Sequence, residues 1–257
     1  MAQGVSRKLV ALADRAGERF APEGWPRLRM LVRRLRRPAR LGTLGRIRPL
    51  SNIWGFDRGT PVDRYYIESF LAERRAEIRG RVLEVKDSGY TARFGSGVDA
   101  AEVLDIDPSN SLATITADLS AAHSIASDQF DCFILTQTLQ FIYDIQSAVK
   151  HAHRILRPSG VLLATLPSVS RLVPRGGLTG DFWRFTPASC TALFEGVFGV
   201  GQVEVRAYGN MTSAIAFLAG AAVEDLRPDQ LDTRDDYFPV LIGVRGRKQE
   251  QAAAVPR

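Results

Sequence analysis

The sequence predicts an α/β protein: a mostly parallel sheet covered by helices on both faces, preceded by a basic helical arm. Three observations point there. From about residue 62, short apolar runs rich in β-branched residues alternate with longer stretches of helical periodicity, the pattern of strands joined by crossover helices. The runs at 132–135, 161–166 and 239–244 are apolar almost throughout instead of at every second position, as strands buried on both faces are. Charge also divides by position. Residues 1–50 hold 13 basic and 3 acidic residues, a net of +10, out of 34 Lys+Arg and 28 Asp+Glu in the chain, so 21 basic and 25 acidic residues, a net of −4, belong to the rest.

A chain of 257 residues with 45% hydrophobic and 24% charged residues has the proportions of one large globular domain with an appendage. Wholesale disorder, a collagen-like repeat and a disulfide scaffold are excluded. Arg7 and Lys8 are not followed by an apolar stretch with a small-residue cleavage site, which argues against a secretory signal. The longest apolar run, residues 214–223, is about half of a membrane span. Cys132 and Cys190 lie in apolar contexts without CxxC spacing and read as buried free thiols in a reducing cytoplasm. His123, His151 and His153 are too few and too poorly spaced for a metal site, and none is expected.

Taken in order, residues 1–50 form two helical pieces broken at Pro22, Pro26 and Pro38, with Gly42 and Gly45 marking the exit. Leu28, Leu31, Val32 and Leu35 recur at helical spacing, and Arg27, Arg29, Arg33, Arg34, Arg36 and Arg37 fill the positions between. Such a helix suits an anionic membrane surface, nucleic acid or a protein contact. It equally suits a helix that packs its Leu stripe on its own domain, in a chain that uses 30 Arg against 4 Lys throughout. The α/β domain spans residues 51–247. Asp63–Ile78 is its first helix, with Tyr66, Phe70 and Leu71 on one face and Gly80 beyond its end. Strands are expected at residues 82–85, 103–106, 113–116, 132–135, 161–166, 202–207 and 239–244, and helices at residues 145–156, 187–198 and 212–226. Residues 248–257 read as a disordered tail.

The order of these signals resembles the class I S-adenosylmethionine-dependent methyltransferases, of the methyltransferase type 11 kind. The resemblance rests on RVLEV at 81–85, LDIDPSN at 104–110, TADLS at 116–120, FDCFILTQTLQFIYD at 130–144 and HRILRPSGVLLATLP at 153–167. It covers roughly residues 52–245 and implies a Rossmann-like sheet of seven strands with S-adenosylmethionine as cofactor. GFDRGTPVDRYYIESFL at 55–71 and GDFWRFTPAS at 180–189 look like a subgroup near polysaccharide and secondary-metabolite genes. Position by position, the resemblance implies Asp107 at the end of the second strand for the ribose hydroxyls. It implies Asp118 and the Leu119 backbone for the adenine, Glu84 and Gly89 for the turn around the methionine moiety, and Gln137 beside the transferable methyl.

Two departures from the family pattern stand out. The glycine turn after the first strand, E-x-G-x-G-x-G in the family, is EVKDSGYT here, with Lys86, Asp87 and Ser88 ahead of the one glycine, Gly89. Cβ atoms where glycines are usual should narrow or reshape the pocket. About six residues, Asp107 to Leu112, separate the second and third strands, where a parallel crossover usually needs around a dozen. Either the third run is not a parallel neighbour, or the helix that walls the adenine is missing.

The loop at 167–186 is where an acceptor pocket is expected. Asp181 there is a candidate base, with Trp183 and Arg184 as acceptor contacts; His123 is a second candidate base. A Trp/Phe cluster with an Asp–Arg ion pair at its rim explains the same residues. The segment 208–238 contains a helix apolar around most of its circumference, which implies burial against the domain or a second subunit of a homo-oligomer. Its acids Asp229, Asp232, Asp235 and Asp236 could attract the arm. The expected activity is S-adenosylmethionine-dependent methylation of an oxygen, less readily a nitrogen, of a small molecule or saccharide. The alternative is a non-catalytic relative that keeps the fold as a binding or scaffolding module. Nucleic acid is the weakest partner, because the catalytic half is acidic.

Overall fold

The computed structural model describes residues 47–173 and 180–250. Almost all of the basic arm, and the tail from residue 251, lie outside the described residues. Among the described residues seven strands form one sheet: β1 (Gly80–Val85), β2 (Val98–Asp105), β3 (Ile115–Thr116), β4 (Phe130–Thr136), β5 (Leu156–Pro167), β6 (Val203–Tyr208) and β7 (Leu241–Arg247). Their order is β3-β2-β1-β4-β5-β7-β6. β3, β2, β1, β4 and β5 are parallel, and β7 runs antiparallel to both its neighbours. The order reverses between β1 and β4, so the loops that leave these two strands diverge and open a crevice at their carboxyl ends.

Helices cover both faces. Along the central strands, alternate residues enter two cores. Leu83, Phe133, Leu135, Leu162 and Leu166 face α3 (Ile145–Ile155) and α4 (Pro187–Phe198). Val82, Cys132, Ile134 and Leu163 face α1 (Val62–Glu73), α2 (Gly89–Phe94) and α5 (Met211–Ala219). A short helix α6 (Pro228–Asp232) follows α5. On β7 the close approach of the layers requires glycine: a Cβ on Gly243 would meet the Phe70 ring of α1 at 2.6 Å, and one on Gly246 the Phe198 ring of α4 at 3.0 Å. Both cysteines are buried free thiols; burial pushes Cys190 up to about 12 and Cys132 higher still.

Local signals explain the helix limits. Thr186 and Ser189 form a reciprocal capping box with Pro187 in the first turn, which starts α4 where the sequence predicts. Asn210 and Ser213 do the same for α5. α5 ends at Ala219, short of the predicted 226, because Gly220 turns the chain with a left-handed φ of 74°. α5 buries Ala214, Ala216 and Phe217 and leaves Met211, Ile215 and Leu218 exposed.

Two expectations about β2 and β3 are amended. β2 begins at Val98, five residues before the apolar signal, because its first half, VDAA, is short-chained and largely exposed yet paired with β1. β3 is a parallel neighbour of β2 through two residues only, Leu104↔Ile115 and Asp105↔Thr116. Residues 106–114 cross over by turns and no helix. A strand of two residues needs little height from its connection, so the crossover length rule does not bind here.

Candidate functional site

The crevice at the strand ends is a cavity of about 950 Å³, near the upper end of the range for small-molecule sites, about 300–1,000 Å³. The loops after β1, β2, β3, β4 and β5 all contribute to it, and the first turn of α1 closes one side.

At the end of β1, Glu84 is 2% exposed. Its carboxylate accepts from the backbone N–H of Tyr90 (3.0 Å) and of Thr91 (2.7 Å) and from the Thr91 hydroxyl (2.7 Å). Burial raises the carboxyl above its usual range, and the bonds from Thr91 and Tyr90 oppose that. Glu84 therefore ties the start of α2 to the sheet. In the turn between them Lys86 takes a φ of 73°, the left-handed conformation that glycine adopts without strain. The Lys86 N–H donates to Leu104 O, its carbonyl accepts from Asn110 Nδ2, and the Asp87 carboxylate accepts from the Gly89 N–H. The turn keeps the shape of a glycine turn with a lysine at its corner. Lys86, Asp87 and Gly89 all line the cavity.

At the end of β2 the structure corrects the assignment of Asp107. That residue is exposed and outside the cavity lining. Its carboxylate accepts from the Ser109 N–H and hydroxyl at 2.9 and 2.7 Å, and these bonds hold it below the usual carboxylate range. It caps a turn. Asp105, the last residue of β2, lines the cavity instead. Its Oδ1 accepts from the Asp107 N–H at 3.0 Å and its Oδ2 from Asn110 Nδ2 at 2.6 Å. A carboxylate has about four acceptor positions, so capacity remains for vicinal hydroxyls. Ile106, 55% exposed, presents an apolar surface to the same space. Beyond β3, Asp118 and Leu119 line the cavity, and Asp118 Oδ1 also caps the turn at Ser120.

After β4, Gln137 lines the cavity with a φ of 48°, its N–H donating to Thr165 O. Gln140, 5% exposed, lines it too and donates from Nε2 to Gln137 O (2.9 Å) and Oε1 (3.2 Å).

The loop after β5 answers differently for each of its residues. Asp181 and Arg184 line the cavity but are engaged with each other. Arg184 donates to both Asp181 oxygens (2.5 and 2.9 Å), to Trp183 O and to Arg171 O, and Asp181 also accepts from the Val173 N–H. Arg184 holds Asp181 below the usual carboxylate range. The pair ties Arg171 and Val173 to residues 181–184 and is not a base with an anion receptor. Trp183 does not line the cavity: it donates to Ile142 O at 2.9 Å and packs against the core beneath α3 and α4. The exposed aromatic surfaces of the cavity are Phe56, Tyr143 and Phe182. His123 is exposed, away from the lining, and stacks edge-on against His151 with 4.6 Å between ring centres. Neither nominated base is placed for that role.

Sequence patterns do not single out Asp63. It stands in the first turn of α1 and lines the cavity, and removal from water pushes its carboxyl up to about 6. Its one local signal is an acid beside a proline and a valine at a helix start, which alone reads as favourable placement at a helix N-terminus. Among the described residues no group of three His, Cys, Asp or Glu is arranged to hold a metal, and no helix is long and apolar enough to cross a membrane.

Residues 90–164 match the family model described as a methyltransferase domain. No curated protein matches the chain. Among solved structures, a SAM-dependent methyltransferase from Archaeoglobus fulgidus is 11% identical, with 72% of this chain and 94% of that one covered at a TM-score of 0.48. The N-methyltransferase NodS from Bradyrhizobium japonicum WM9, solved with S-adenosyl-L-homocysteine, is 13% identical over 74% of this chain and 89% of its own, at 0.44. A putative S-adenosylmethionine-dependent methyltransferase from Listeria monocytogenes is 10% identical over 74% and 97%, at 0.48.

Proposed function

We propose that this chain, which carries a methyltransferase domain on a class I sheet, is an S-adenosylmethionine-dependent methyltransferase acting on an oxygen of a small molecule or saccharide. The observation that carries the reading is the placement of Asp105 and Asp118 at the ends of adjacent strands, both on one cavity with the apolar Ile106. That set fits the nucleoside half of the cofactor: Asp105 for the ribose hydroxyls, Asp118 for the adenine amino group, Ile106 and Leu119 for the ring faces. Glu84 acts one step back, by holding the turn at 86–89 in shape. When bound, S-adenosylmethionine supplies an electrophilic methyl group and leaves as a neutral thioether.

The protein's own work is to orient an acceptor and receive its proton. Phe56, Tyr143 and Phe182 offer flat apolar faces suited to a sugar or aromatic ring. Asp63 is the carboxylate we assign to the proton, because its raised pKa suits a base working near neutrality and Asp181 is committed to Arg184. We place the reaction in the cytoplasm, a setting supported by the two buried thiols.

The second reading, a non-catalytic binding module, is favoured by one feature: Lys86 and Tyr90 occupy cavity wall where the pattern E-x-G-x-G-x-G, counted from Glu84, has glycine. Calorimetric titration separates the two. S-adenosylmethionine and S-adenosylhomocysteine should bind the wild-type chain. Asp105→Asn should weaken binding by at least tenfold, about 1.4 kcal/mol or more, while Asp107→Asn should change it less than twofold. No binding at millimolar cofactor would sink the enzyme reading, and equal losses in the two variants would sink the assignment of Asp105.

A further inference from the structure

We infer that Glu224 is a positioning residue for the proposed reaction: from the segment after α5 its carboxylate holds Thr60, at the entry of α1, and so fixes the place of Asp63 in the cavity wall. The inference rests on the reading of Asp63 as the proton acceptor and deepens it by naming what keeps that carboxylate where it is.

α1 begins without the device that starts α3, α4 and α5. Asp144, Thr186 and Asn210 each accept from a backbone N–H of the helix that follows. Pro61, the residue before α1, has no side chain able to accept, and no side-chain cap is present there. The first N–H groups of a helix have no partner inside it, and uncapped ends fray.

The hold on α1 comes instead from 164 positions away. Glu224 Oε2 accepts from the Thr60 N–H at 2.8 Å, and Oε1 accepts from the Thr60 hydroxyl at 2.9 Å. The Thr60 carbonyl accepts from the Val223 N–H at 2.8 Å, and Pro61 and Ala222 form an antiparallel bridge. Asp225 accepts twice from Arg58, at 3.0 and 2.7 Å. Thr60 thus has its N–H, its carbonyl and its hydroxyl all tied to Val223 and Glu224. A Cβ on Gly59 would strike the Glu224 carboxylate, so glycine at 59 is what lets that carboxylate come so close.

Glu224 is exposed and outside the cavity lining. Water competes for bonds at such a site, so they contribute location more than stability. Asp63 follows Thr60 by three residues and lies back on the first turn of α1, its Oδ1 accepting from the Arg64 N–H at 2.9 Å. A displaced first turn displaces that carboxylate, and a shift of about 1 Å near reacting groups can lower a rate about 10²-fold. The Asp63 charge responds first to loss of water, then to Arg64 and to backbone N–H groups. Tyr90 of α2, bonded to Arg64, is a further titratable group in its field. Glu224 is not among these influences. It acts through the backbone of residues 60–63 and not as a neighbouring charge. Release of the hold lets water reach Asp63, and its ionisation then becomes easier.

The test uses the full chain with 13C-labelled aspartate and follows the Asp63 carboxyl resonance against pH in the wild type, Glu224→Ala and Glu224→Gln, after amide spectra have shown all three folded. In the wild type the carboxyl should titrate at about 6. Glu224→Ala should carry it more than half of the way back to 3.8, a change that a merely structural role would not produce. Hydrogen exchange at the Arg64 and Tyr65 N–H groups, which bond Pro61 O, should quicken about tenfold or more. Glu224→Gln removes the charge but keeps an oxygen for one Thr60 donor, and it should move the carboxyl much less than Glu224→Ala does. A wild-type carboxyl already titrating near 3.8, one left in place by Glu224→Ala, or one moved equally by both variants would overturn the role of Glu224. S-adenosylhomocysteine is titrated separately into the wild-type chain by calorimetry. Failure to bind would overturn the methyl-transfer reading, while a response of Asp63 to Glu224→Ala would still stand as the positioning of a cavity carboxylate.

Discussion

Replacing Asp63 by Asn should make the protein more stable and less active, and the stability gain should depend on pH in a defined direction. The Asp63 carboxyl is pushed from 3.8 to about 6 by loss of water around it, and at 1.36 kcal/mol per unit that is about 3 kcal/mol of cost when the group is ionised. The native state holds this proton more tightly than the unfolded chain. The cost is therefore absent below about pH 3.8, grows as pH rises through the window from 3.8 to 6, and is complete above 6. Asn removes the charge and keeps an oxygen to accept from the Arg64 N–H, which Asp63 Oδ1 now does at 2.9 Å. The expected gain is about 2–3 kcal/mol at pH 8, or roughly 4–10 °C in Tm for a domain of this size, shrinking to a few tenths of a kcal/mol near pH 4. Urea and thermal melts at pH 4, 6 and 8 measure it. Turnover, once an acceptor is in hand, should fall by about 10²-fold or more, as loss of a general base does. A loss of stability at pH 8, or a gain of equal size at pH 4 and pH 8, would refute the claim that Asp63 is held in a costly charged state.

Two further substitutions probe the frame around the site. Glu84→Ala leaves the N–H groups of Tyr90 and Thr91 and the Thr91 hydroxyl without their acceptor; with about 1–3 kcal/mol for each orphaned donor, offset in part by removal of a buried charge, the expected loss is about 3–5 kcal/mol in urea unfolding. A loss under 1 kcal/mol would mean that the start of α2 does not depend on Glu84. Gly243→Ala forces a Cβ against the Phe70 ring at 2.6 Å and should cost about 1–3 kcal/mol by overpacking. The double variant Gly243→Ala/Phe70→Leu should be less than additive, and strict additivity would show that the two positions do not share that contact.

Much of this architecture is legible along the chain because its signals are local. The apolar runs of β1, β4 and β5 have no polar face to hide, so they announce strands buried on both sides. Thr186, Pro187 and Ser189 state the start of α4 within four residues. Even the altered glycine turn is visible as Lys86, Asp87 and Ser88. What it does is not visible there. Lys86 simply adopts the left-handed φ, tied down by Leu104 and Asn110 from the neighbouring strand and its turn, and those partners are 18 and 24 residues away in sequence.

The site residues show where local reading stops. LDID offers two aspartates that a strand pattern treats alike, and only the last pairing with β3 at Asp105 decides which carboxylate ends the strand and which caps the turn after it. Asp181, Arg184 and Trp183 look like a reactive group and its acceptor contacts until their partners are known; the clasp with Val173 and Arg171 and the bond to Ile142 O then occupy them. Asp63 carries no motif of its own, because its perturbation comes from a cavity assembled by five strand ends. Propensity, periodicity and composition act over a few residues, so the class of fold, the capped start of α4 and the division of charge between arm and domain can all be read from the unfolded chain. Which carboxylates face the cavity, which are neutralised and which polar atoms remain open are set by contacts between segments far apart in sequence, and those contacts exist only once the sheet has brought its strand ends together.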